Sequence, residues 1–493
     1  MQRRGWLAFL PPLVFLPFIL SPPLNHDVAA VLAFSQRWLA GEHLYVDLLD
    51  VNPPLIFILN LLPAALAGGN GPAGIIALQA CVLALGLLVA WQCRPPAAGA
   101  CETILLGAFP AFFLLAPGYD FGQREALMAL AALPYLFDAA NRAAGARPRL
   151  AATLIAAIGF ALKPHFLAIP LLVEAFVWFR RRRPDATPLI LLAVWSAYAA
   201  LILIAFPVYL DTIIARAMAT YVRIADYSML SVVARPRLAA AIAILAVSAI
   251  AARRAGGLPA ILGLAGIAAA AAAIVQHKGW SYHFVPTELL ALALAMLLAA
   301  RAIDRRRLPR PTLAAFGLLS LAMLYMTAAG ELPRNQLVYA SVVDTPLRAA
   351  LTRIAPGGRV LVLSSVIAPV HPALNYANAT ATQPVMDLWP IAGTYRVCTQ
   401  ATPGNPDVPR YRPFVDMLAP EAALFRQIVD GFAAAPPDAI LIDRFARIPD
   451  CPGPFDFLAY FLRSPIFAAI FAQFRKDSTI GQFDFYVRNQ PSG

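Results

Sequence analysis

The residues of this chain whose types could carry out chemistry are gathered in one polar stretch, Asn25–Pro54. The stretch follows the first apolar run and holds six acidic or histidine side chains, in a sequence of which only 13% is charged: His26, Asp27, Glu42, His43, Asp47 and Asp50. Charged groups beside a membrane are energetically costly and usually have a function. We therefore predict that this stretch forms half of an active site at a membrane–water boundary, completed by the polar residues around Asp120, Lys163 and His277.

Asp27 is the first candidate within this stretch. A carboxylate just beyond an apolar helix could act as a general base towards a hydroxyl or an amine, or could ligate a divalent metal ion. The alternative is a purely structural role, because the apolar spacing predicts a helix over Asp27–Ala40 that Asn25 would cap and Gly41 would end. Such a helix would lie along the membrane surface.

Further metal-site candidates are His26, Asp47 and Asp120, and for each of them an ordinary loop or surface position is the alternative. If a metal ion is used, its chemistry would be that of Mg²⁺ or Mn²⁺, held by carboxylates.

The composition is that of an integral membrane protein. Of the 493 residues, 60% are hydrophobic, and the charged fraction is half of the roughly 25% found in soluble domains. The net charge of +12 comes from short arginine clusters between apolar runs, which is the positive-inside pattern of a polytopic protein and argues against nucleic-acid binding. We predict a mainly α polytopic protein of about 10–13 transmembrane helices.

The arginine clusters also predict the topology. If they lie in the cytoplasm together with the N-terminus, the loops around residues 25–54, 118–123, 207–237 and 276–284 all lie on the outer side. The parity of the crossings then requires that Pro53–Ala67 is a re-entrant or surface-lying helix. It also requires that Leu150–Phe179 is a hairpin, with its break at Lys163-Pro164-His165, because proline interrupts a helix.

The chain is predicted to have two parts. Residues 1–328 would form the transmembrane catalytic domain, with residues 21–54 as its first outer loop. Residues 329–493 lack a long apolar run and would form a small outer α/β domain, with a helix at Thr345–Ile354 and three strands at Arg359–Ser365, Ala439–Arg444 and Phe483–Arg488. Cys398 and Cys451 would share an oxidising compartment there, in which a disulfide is plausible.

Several cationic residues could bind a phosphate group at the outer loops. Lys163, with His165 beside it, could neutralise a lipid phosphate or extend to the interface. Arg124 could bind a phosphate with two hydrogen bonds, or could pair with Glu125 or Asp120. His277 and Lys278 stand among aromatic residues, which suits a phosphate head group with a stacked sugar ring but is also typical of an interfacial aromatic belt.

Three features together resemble the GT-C superfamily of membrane glycosyltransferases, and in particular glycosyltransferase family 39, which includes protein O-mannosyltransferases and lipid A aminoarabinose transferases. They are the acidic Asp27 after the first helix, the Gly-Glu-x-x-Tyr-x-Asp motif of residues 41–47, and Pro53-Pro54 opening an apolar helix. In that family the first outer loop carries an essential acidic residue, which maps to Asp27. Many members have Asp-Glu there, whereas this chain has His26-Asp27.

The resemblance implies a glycosyltransferase of the bacterial inner membrane. It would move a sugar from a polyprenyl-phosphate donor to a lipid, polysaccharide or protein acceptor on the periplasmic face, with inversion and with Asp27 as base. The C-terminal domain would then be periplasmic. Two other classes remain open: a transporter or flippase of lipid-linked saccharides, and a membrane assembly subunit without catalytic activity. The absence of a visible internal repeat and the clustering of charge at one surface favour the enzyme.

Overall fold

The computed structural model describes residues 8–96, 99–252, 257–306, 333–395, 411–447 and 454–489. The predicted domain boundary at residue 328 and both Cys398 and Cys451 lie outside these residues, so the predictions about them stay predictions. The described chain is mainly helical, with one small sheet near its C-terminal end.

The first part of the chain consists of helices. A 3-10 turn at Pro11–Phe15 leads into them, and their bounds are α1 Leu16–Leu20, α2 His26–Leu39, α3 Leu55–Ala67, α4 Gly71–Gln92, α5 Ala100–Leu115, α6 Arg124–Ala143, α7 Leu150–Ala161, α8 Ala168–Arg181, α9 Thr187–Ala205, α10 Ile214–Ala219, α11 Met229–Val233, α12 Pro236–Ala252, α13 Leu258–Val275 and α14 Val285–Arg306.

Four helices in the described part of the chain are long and apolar enough to cross a membrane: Gly71–Gln92, Thr187–Ala205, Leu258–Val275 and Ser281–Arg305. Five further apolar helices are shorter, and Leu55–Ala67 is among them. A crossing needs about 20 residues, so the 13 residues of α3 are compatible with the predicted surface-lying or re-entrant segment. Membrane character is thus supported by these helices, while the number of crossings remains a prediction.

Helix α2 forms as its sequence predicts. The side chain of Asn25 accepts hydrogen bonds from the backbone N–H groups of Asp27 and Val28, at 3.0 and 3.4 Å, and so caps the first turn. Gly41 follows the helix with a φ of 108°, a left-handed conformation that glycine adopts without strain. Most of the helix is buried, because α3 and the C-terminal helix Val370–Tyr376 pack against it.

The predicted hairpin is also present. Helix α7 ends at Ala161 and α8 begins at Ala168, with the 3-10 turn Pro164–Leu167 between them. Both helices pack against α6. At the end of α6 remote from the hairpin turn, the fully buried guanidinium of Arg142 contacts Asp138, Glu174 and Asp185, with closest N–O distances of 3.1, 2.5 and 3.0 Å. This network joins α6, α8 and the segment that leads into α9.

The C-terminal part is built around a five-stranded sheet in the order β2-β1-β3-β5-β4. Strands β1, β2 and β3 are parallel, and β5 pairs antiparallel with both β3 and β4. Three strands match the predicted ones, whereas β2 and β4 were not predicted. The bounds are β1 Arg359–Leu363, β2 Thr380–Ala381, β3 Ala439–Asp443, β4 Phe474–Ile480 and β5 Phe483–Arg488.

Short helices surround this sheet, and the predicted Thr345–Ile354 is one of them. Their bounds are Pro333–Tyr339, Thr345–Ile354, Val370–Tyr376, Trp389–Thr394, Ala419–Ala434, Phe457–Phe461 and Pro465–Phe471. Side chains alternate along β1, so that Leu361 and Leu363 join the large core shared with the first part of the chain, while Val360 and Val362 join a smaller core on the other face.

The two parts of the chain are in close contact. The side-chain amide of Asn375 donates to the carbonyl of Ala29 in α2 at 3.0 Å, and the backbone N–H of Gly71 donates to the side chain of Asn378 at 2.7 Å. The apolar core runs without a break from the N-terminal helices to the C-terminal ones. The C-terminal part therefore packs firmly onto the first outer loop predicted from the sequence.

Candidate functional site

The polar segments that the sequence placed on one side of the membrane meet at one end of the helix bundle. Residues of the first loop contact the start of α6, the α7–α8 turn contacts the start of α6 as well, and the loop before α14 contacts both the turn and the segment around Tyr221. The basic network around Arg142 lies at the opposite end, because the 20 residues of α6 separate the two by about 30 Å.

Asp27 lies at the centre of this cluster. Its Oδ2 accepts a hydrogen bond from Nε2 of Gln123 at 3.0 Å, and its Oδ1 lies 3.6 Å from Nε2 of His26. Burial by itself would raise the pKa of this carboxyl group. The charges of His26 and Arg124 and the hydrogen bond from Gln123 outweigh burial and lower its pKa below the ordinary value. Asp27 is therefore ionised at neutral pH, and its side chain stays 16% exposed.

Asp120, a predicted partner of Asp27, has the opposite character. It is buried, and its Oδ1 accepts a hydrogen bond from the side-chain amide of Asn25 at 3.2 Å. Burial raises the pKa of Asp120 to about 8, and the lowering effect of Arg237 does not offset it. One carboxyl group is thus charged at pH 7 and its neighbour is neutral. When the surroundings separate the pKa values of two acids in this way, the charged one is the candidate base.

Arg124 joins the first loop to α6. The residue is buried, and its guanidinium donates to the side-chain oxygen of Asn52. Asn52 is in turn held by Asp50, whose Oδ1 accepts from its backbone and side-chain N–H groups at 2.7 and 2.6 Å. Asp50 is therefore a buried residue that helps to position Arg124.

Lys163 enters the cluster from the α7–α8 turn. Its ammonium lies 2.5 Å from Oε1 of Glu125 and 5.3 Å from the centre of the Tyr282 ring. Burial lowers the pKa of Lys163 to about 8, because the neighbouring Glu125 only partly offsets the loss of hydration. The residue remains mostly cationic at pH 7, and its charge helps to lower the pKa of Asp27.

His165 is the next residue but one. Burial, with the charges of Lys163 and Arg124, lowers the pKa of His165 to about 3, so its ring is neutral. Its Nε2 is buried and has no hydrogen-bond partner within the described part of the chain. A neutral imidazole nitrogen of this kind can donate to, or accept from, a bound polar group.

An apolar groove begins beside this cluster. It has a volume of about 980 Å³ and runs along α8 from Pro164 and His165 to Arg183 and Asp185, between α9 and the end of α13. The 14 residues of α8 make it about 20 Å long. Except at its two ends it is lined almost wholly by aliphatic and aromatic side chains, including Leu171, Trp178 and Ala271.

The other predicted phosphate ligands have protein partners. The ammonium of Lys278 donates to the backbone carbonyls of Tyr221, Val222 and Ile224 at 2.5–2.9 Å, which uses the three donors that a lysine has. Nδ1 of His277 donates to the backbone carbonyl of Tyr227 at 2.8 Å. Both residues thus hold the segment around Tyr221 in place, and their role as phosphate ligands stays a prediction.

The metal-site candidates are not brought together. Asp47 is turned to His43, 3.0 Å away, and stays 45% exposed. Nδ1 of His26 lies 2.7 Å from the hydroxyl of Tyr119, and Asp120 is neutral at pH 7. Among the described residues there is no group of three or more His, Cys, Asp or Glu side chains that could hold a metal ion. The described residues thus lend no support to a carboxylate-held divalent ion, which stays a prediction.

The C-terminal part contributes residues that the sequence did not single out. Asp387 is buried close enough to Asp27 and Asp50 that burial first, and then these two charges, raise its pKa well above the ordinary value. The ring of Trp389 lies 5.5 Å from that of Tyr221, edge to face. No sequence pattern points to either residue, because their place in the site depends on how the C-terminal part packs. Gln123 was also missed, although it stands next to the predicted Arg124 in the sequence.

No protein-family model matches this sequence, and neither does any curated protein.

Proposed function

We propose that this chain is an integral membrane glycosyltransferase that moves a sugar from a polyprenyl-phosphate donor to an acceptor, with inversion and with Asp27 as the base. In this proposal the protein is a polytopic protein of the bacterial inner membrane, of the GT-C type, and the site faces the periplasm. The acceptor is a hydroxyl or amine group of a lipid, a polysaccharide or a protein.

One observation carries the proposal. An ionised carboxylate, Asp27, lies beside two buried cations, Arg124 and Lys163, where an apolar groove begins. A polyprenyl phosphate combines an anionic head group with a long apolar chain, so these neighbouring features match both halves of one ligand. His165 stands between them, as a groove-lining residue that carries an unpartnered buried nitrogen among the described residues.

The mechanism follows from the charges. A hydroxyl or amine group of the acceptor attacks the anomeric carbon, and Asp27 takes the proton that the attacking group loses. The bond from the anomeric carbon to the phosphate oxygen breaks, and its electron pair stays on the phosphate. Arg124 and Lys163, which are both buried, stabilise the negative charge that develops there. Attack from the face opposite the phosphate inverts the anomeric centre.

Substitution of Asp27 tests this role. In nanodiscs containing polyprenyl-phosphate sugars, we expect Asp27→Asn to lower sugar transfer by roughly 10²- to 10⁴-fold, the usual contribution of a positioned base. Mass spectrometry of the lipid and of the released or transferred sugar is the measurement. Asp416→Asn is the matched control, because Asp416 is an exposed carboxylate of the C-terminal part and should leave transfer unchanged.

The rival classes give different results in the same assay. A transporter would bind or move the lipid-linked sugar without breaking its glycosidic bond, and a scaffold would do neither. If the wild-type protein turns over no donor while it still binds these lipids, and Asp27→Asn binds them equally well, the glycosyltransferase proposal is wrong.

A further inference from the structure

The segment Gln383–Thr394 of the C-terminal part closes one side of the site. On one flank the backbone N–H of Leu49 donates to the carbonyl of Pro384 at 2.6 Å, and Arg37 donates to the carbonyl of Gln383 at 2.8 Å. Arg37 is itself held by Glu42, at 2.6 Å. These bonds fix the segment to the first loop, on the side of the site that carries Asp27.

The other flank of the same segment packs against the loop before α11. A Cβ atom on Gly393 would lie 3.1 Å from the backbone oxygen of Thr220, which leaves little room for any larger residue. The next residue, Tyr221, belongs to the site, because the charges of Arg124 and Asp27 act on its hydroxyl group. The segment therefore bridges two loops that both line the site.

Aromatic rings continue from this segment into the membrane part. Trp389 and Trp280 lie on either side of Tyr221, with ring centres 5.5 and 5.9 Å from it. All three side chains are partly exposed, and the ammonium of Lys278 lies 4.8 Å from the centre of the Tyr221 ring. Lys278 fixes Tyr221 through the backbone carbonyl that it binds. Aromatic faces held in this way can stack on the C–H face of a sugar ring.

Asp387 lies beside this aromatic wall. Its Oδ1 accepts a hydrogen bond from the backbone N–H of Trp389 at 2.9 Å, and the residue is 7% exposed. Burial raises the pKa of this carboxyl group, which accepts hydrogen bonds in either protonation state and donates one when it is protonated. Sugar hydroxyl groups both donate and accept, so such a group is suited to bind them.

We propose that the segment Gln383–Thr394 is the saccharide-binding wall of the site, with Trp389 stacked on the donor sugar and Asp387 hydrogen-bonded to its hydroxyl groups. This inference rests on the proposed function. In this arrangement two parts of the chain bind different portions of the donor. The membrane helices bind the phosphate and the lipid, while the C-terminal part recognises the sugar.

The test compares two lipids on the full-length protein in nanodiscs. Native mass spectrometry would give dissociation constants for bare polyprenyl phosphate and for polyprenyl phosphates that carry a hexose, an N-acetylhexosamine, a pentose or an aminopentose. We expect Trp389→Ala and Asp387→Leu to weaken binding of the preferred glycosylated lipid about tenfold, which is about 1.4 kcal/mol, and to leave the bare lipid unchanged.

Conservative variants and a surface control make the result specific. Trp389→Phe keeps an aromatic face and Asp387→Asn keeps a donor and an acceptor, so both should retain wild-type selectivity within about threefold. Phe445→Ala changes an exposed ring of the same part of the chain, and it should have no effect. Lys163→Ala should instead weaken both lipids equally.

Two results would overturn the inference in distinguishable ways. If Trp389→Ala and Asp387→Leu leave the preference for the glycosylated lipid intact, the wall has been assigned wrongly while the proposed function stands. If the wild-type protein binds neither lipid, the proposed function fails, and this inference fails with it.

Discussion

At the scale of single residues, the site depends on neighbours that set the charge of each group. Asp27 is charged because Gln123 donates to it and cations stand nearby, although burial opposes its ionisation. Asp120, which the sequence grouped with it, is neutral at pH 7 because it is more deeply buried and has a weaker set of donors. Two aspartates of one cluster thus have different roles, for reasons that lie in their surroundings.

Lys163 gives a prediction about pH. Its pKa is lowered from 10.5 to about 8, so the ammonium is present at pH 7 and is mostly lost by pH 9. We expect the affinity for bare polyprenyl phosphate to fall by about fivefold to tenfold over this range, since each pH unit above the pKa removes about nine-tenths of the remaining charged form. Equilibrium titration in nanodiscs at pH 6, 7, 8 and 9 is the measurement.

Other groups titrate in the same range, so the control must isolate the lysine. Asp120 gains a negative charge near pH 8 and would also weaken phosphate binding. In Lys163→Arg the cation persists at every pH tested, because a guanidinium does not lose its proton in proteins. A fall in affinity of the same size in Lys163→Arg would assign the pH dependence to Asp120 instead.

At the scale of elements, the groove along α8 is the feature that would connect the cluster to a lipid in the proposed function. One end of the groove carries the neutral His165, and the other end reaches Asp185, close to the network around Arg142. That network fixes α6 against α8, because three carboxylates share one buried guanidinium. Removing one member of such a buried ion-pair network lowers the stability strongly, because a buried charge is left without its partner. The groove therefore has one rigid wall.

Filling the groove tests its role. Ala271 lines it, and a tryptophan there would occupy space that a polyprenyl chain would use. We expect Ala271→Trp to weaken binding of a long polyprenyl phosphate at least tenfold and to have little effect on a short-chain analogue. Leu203→Trp is the control, because Leu203 is 63% exposed on α9 and does not line the groove. Equal losses for both chain lengths would show that the groove does not hold the lipid chain.

At the scale of the whole molecule, the C-terminal part completes the site instead of standing apart from it. The helix Val370–Tyr376 packs on α2, and the large apolar core is shared between the two parts. The buried His371 lies in this contact, and burial lowers its pKa to about 4, so it adds no charge there at neutral pH. The two parts of the chain thus differ in hydropathy, as the division predicted at residue 328 expresses, but their described residues pack against each other around one apolar core.

Gly71 tests this packing. A Cβ atom there would overlap the backbone oxygen of Asn375, which cannot move away as a side-chain end could. We expect Gly71→Ala to lower stability by about 1–3 kcal/mol and to loosen the C-terminal part, because overpacking displaces backbone. Hydrogen–deuterium exchange of Val370–Tyr376 and the thermal unfolding midpoint are the measurements.

The control for this prediction is another glycine. A Cβ atom on Gly431 would have no heavy atom within 4 Å, and the residue lies inside the helix Ala419–Ala434. Gly431→Ala should therefore be neutral or stabilising by up to about 1 kcal/mol. Unchanged exchange at Val370–Tyr376 in Gly71→Ala would mean that this contact does not hold the two parts together.

The sequence by itself determined the local features of this protein. Apolar spacing and Asn25 were enough to predict α2, proline was enough to place the break near Lys163, and alternation with β-branched residues was enough to predict three of the five strands. These features depend on interactions between residues close together in the chain. The gathering of Asp27, Arg124 and Lys163 was also foreseen, because the arginine clusters restrict which loops share one side of a membrane.

Only the tertiary structure decided the charge of each group and the far side of the site. Lys278 is bound by backbone carbonyls that no pattern indicates, and Asp387 reaches the site only because a segment more than 300 residues from Asp27 packs against the first loop. Burial and long-range contacts set pKa values and complete pockets, and neither can be read from the spacing of residues along the chain.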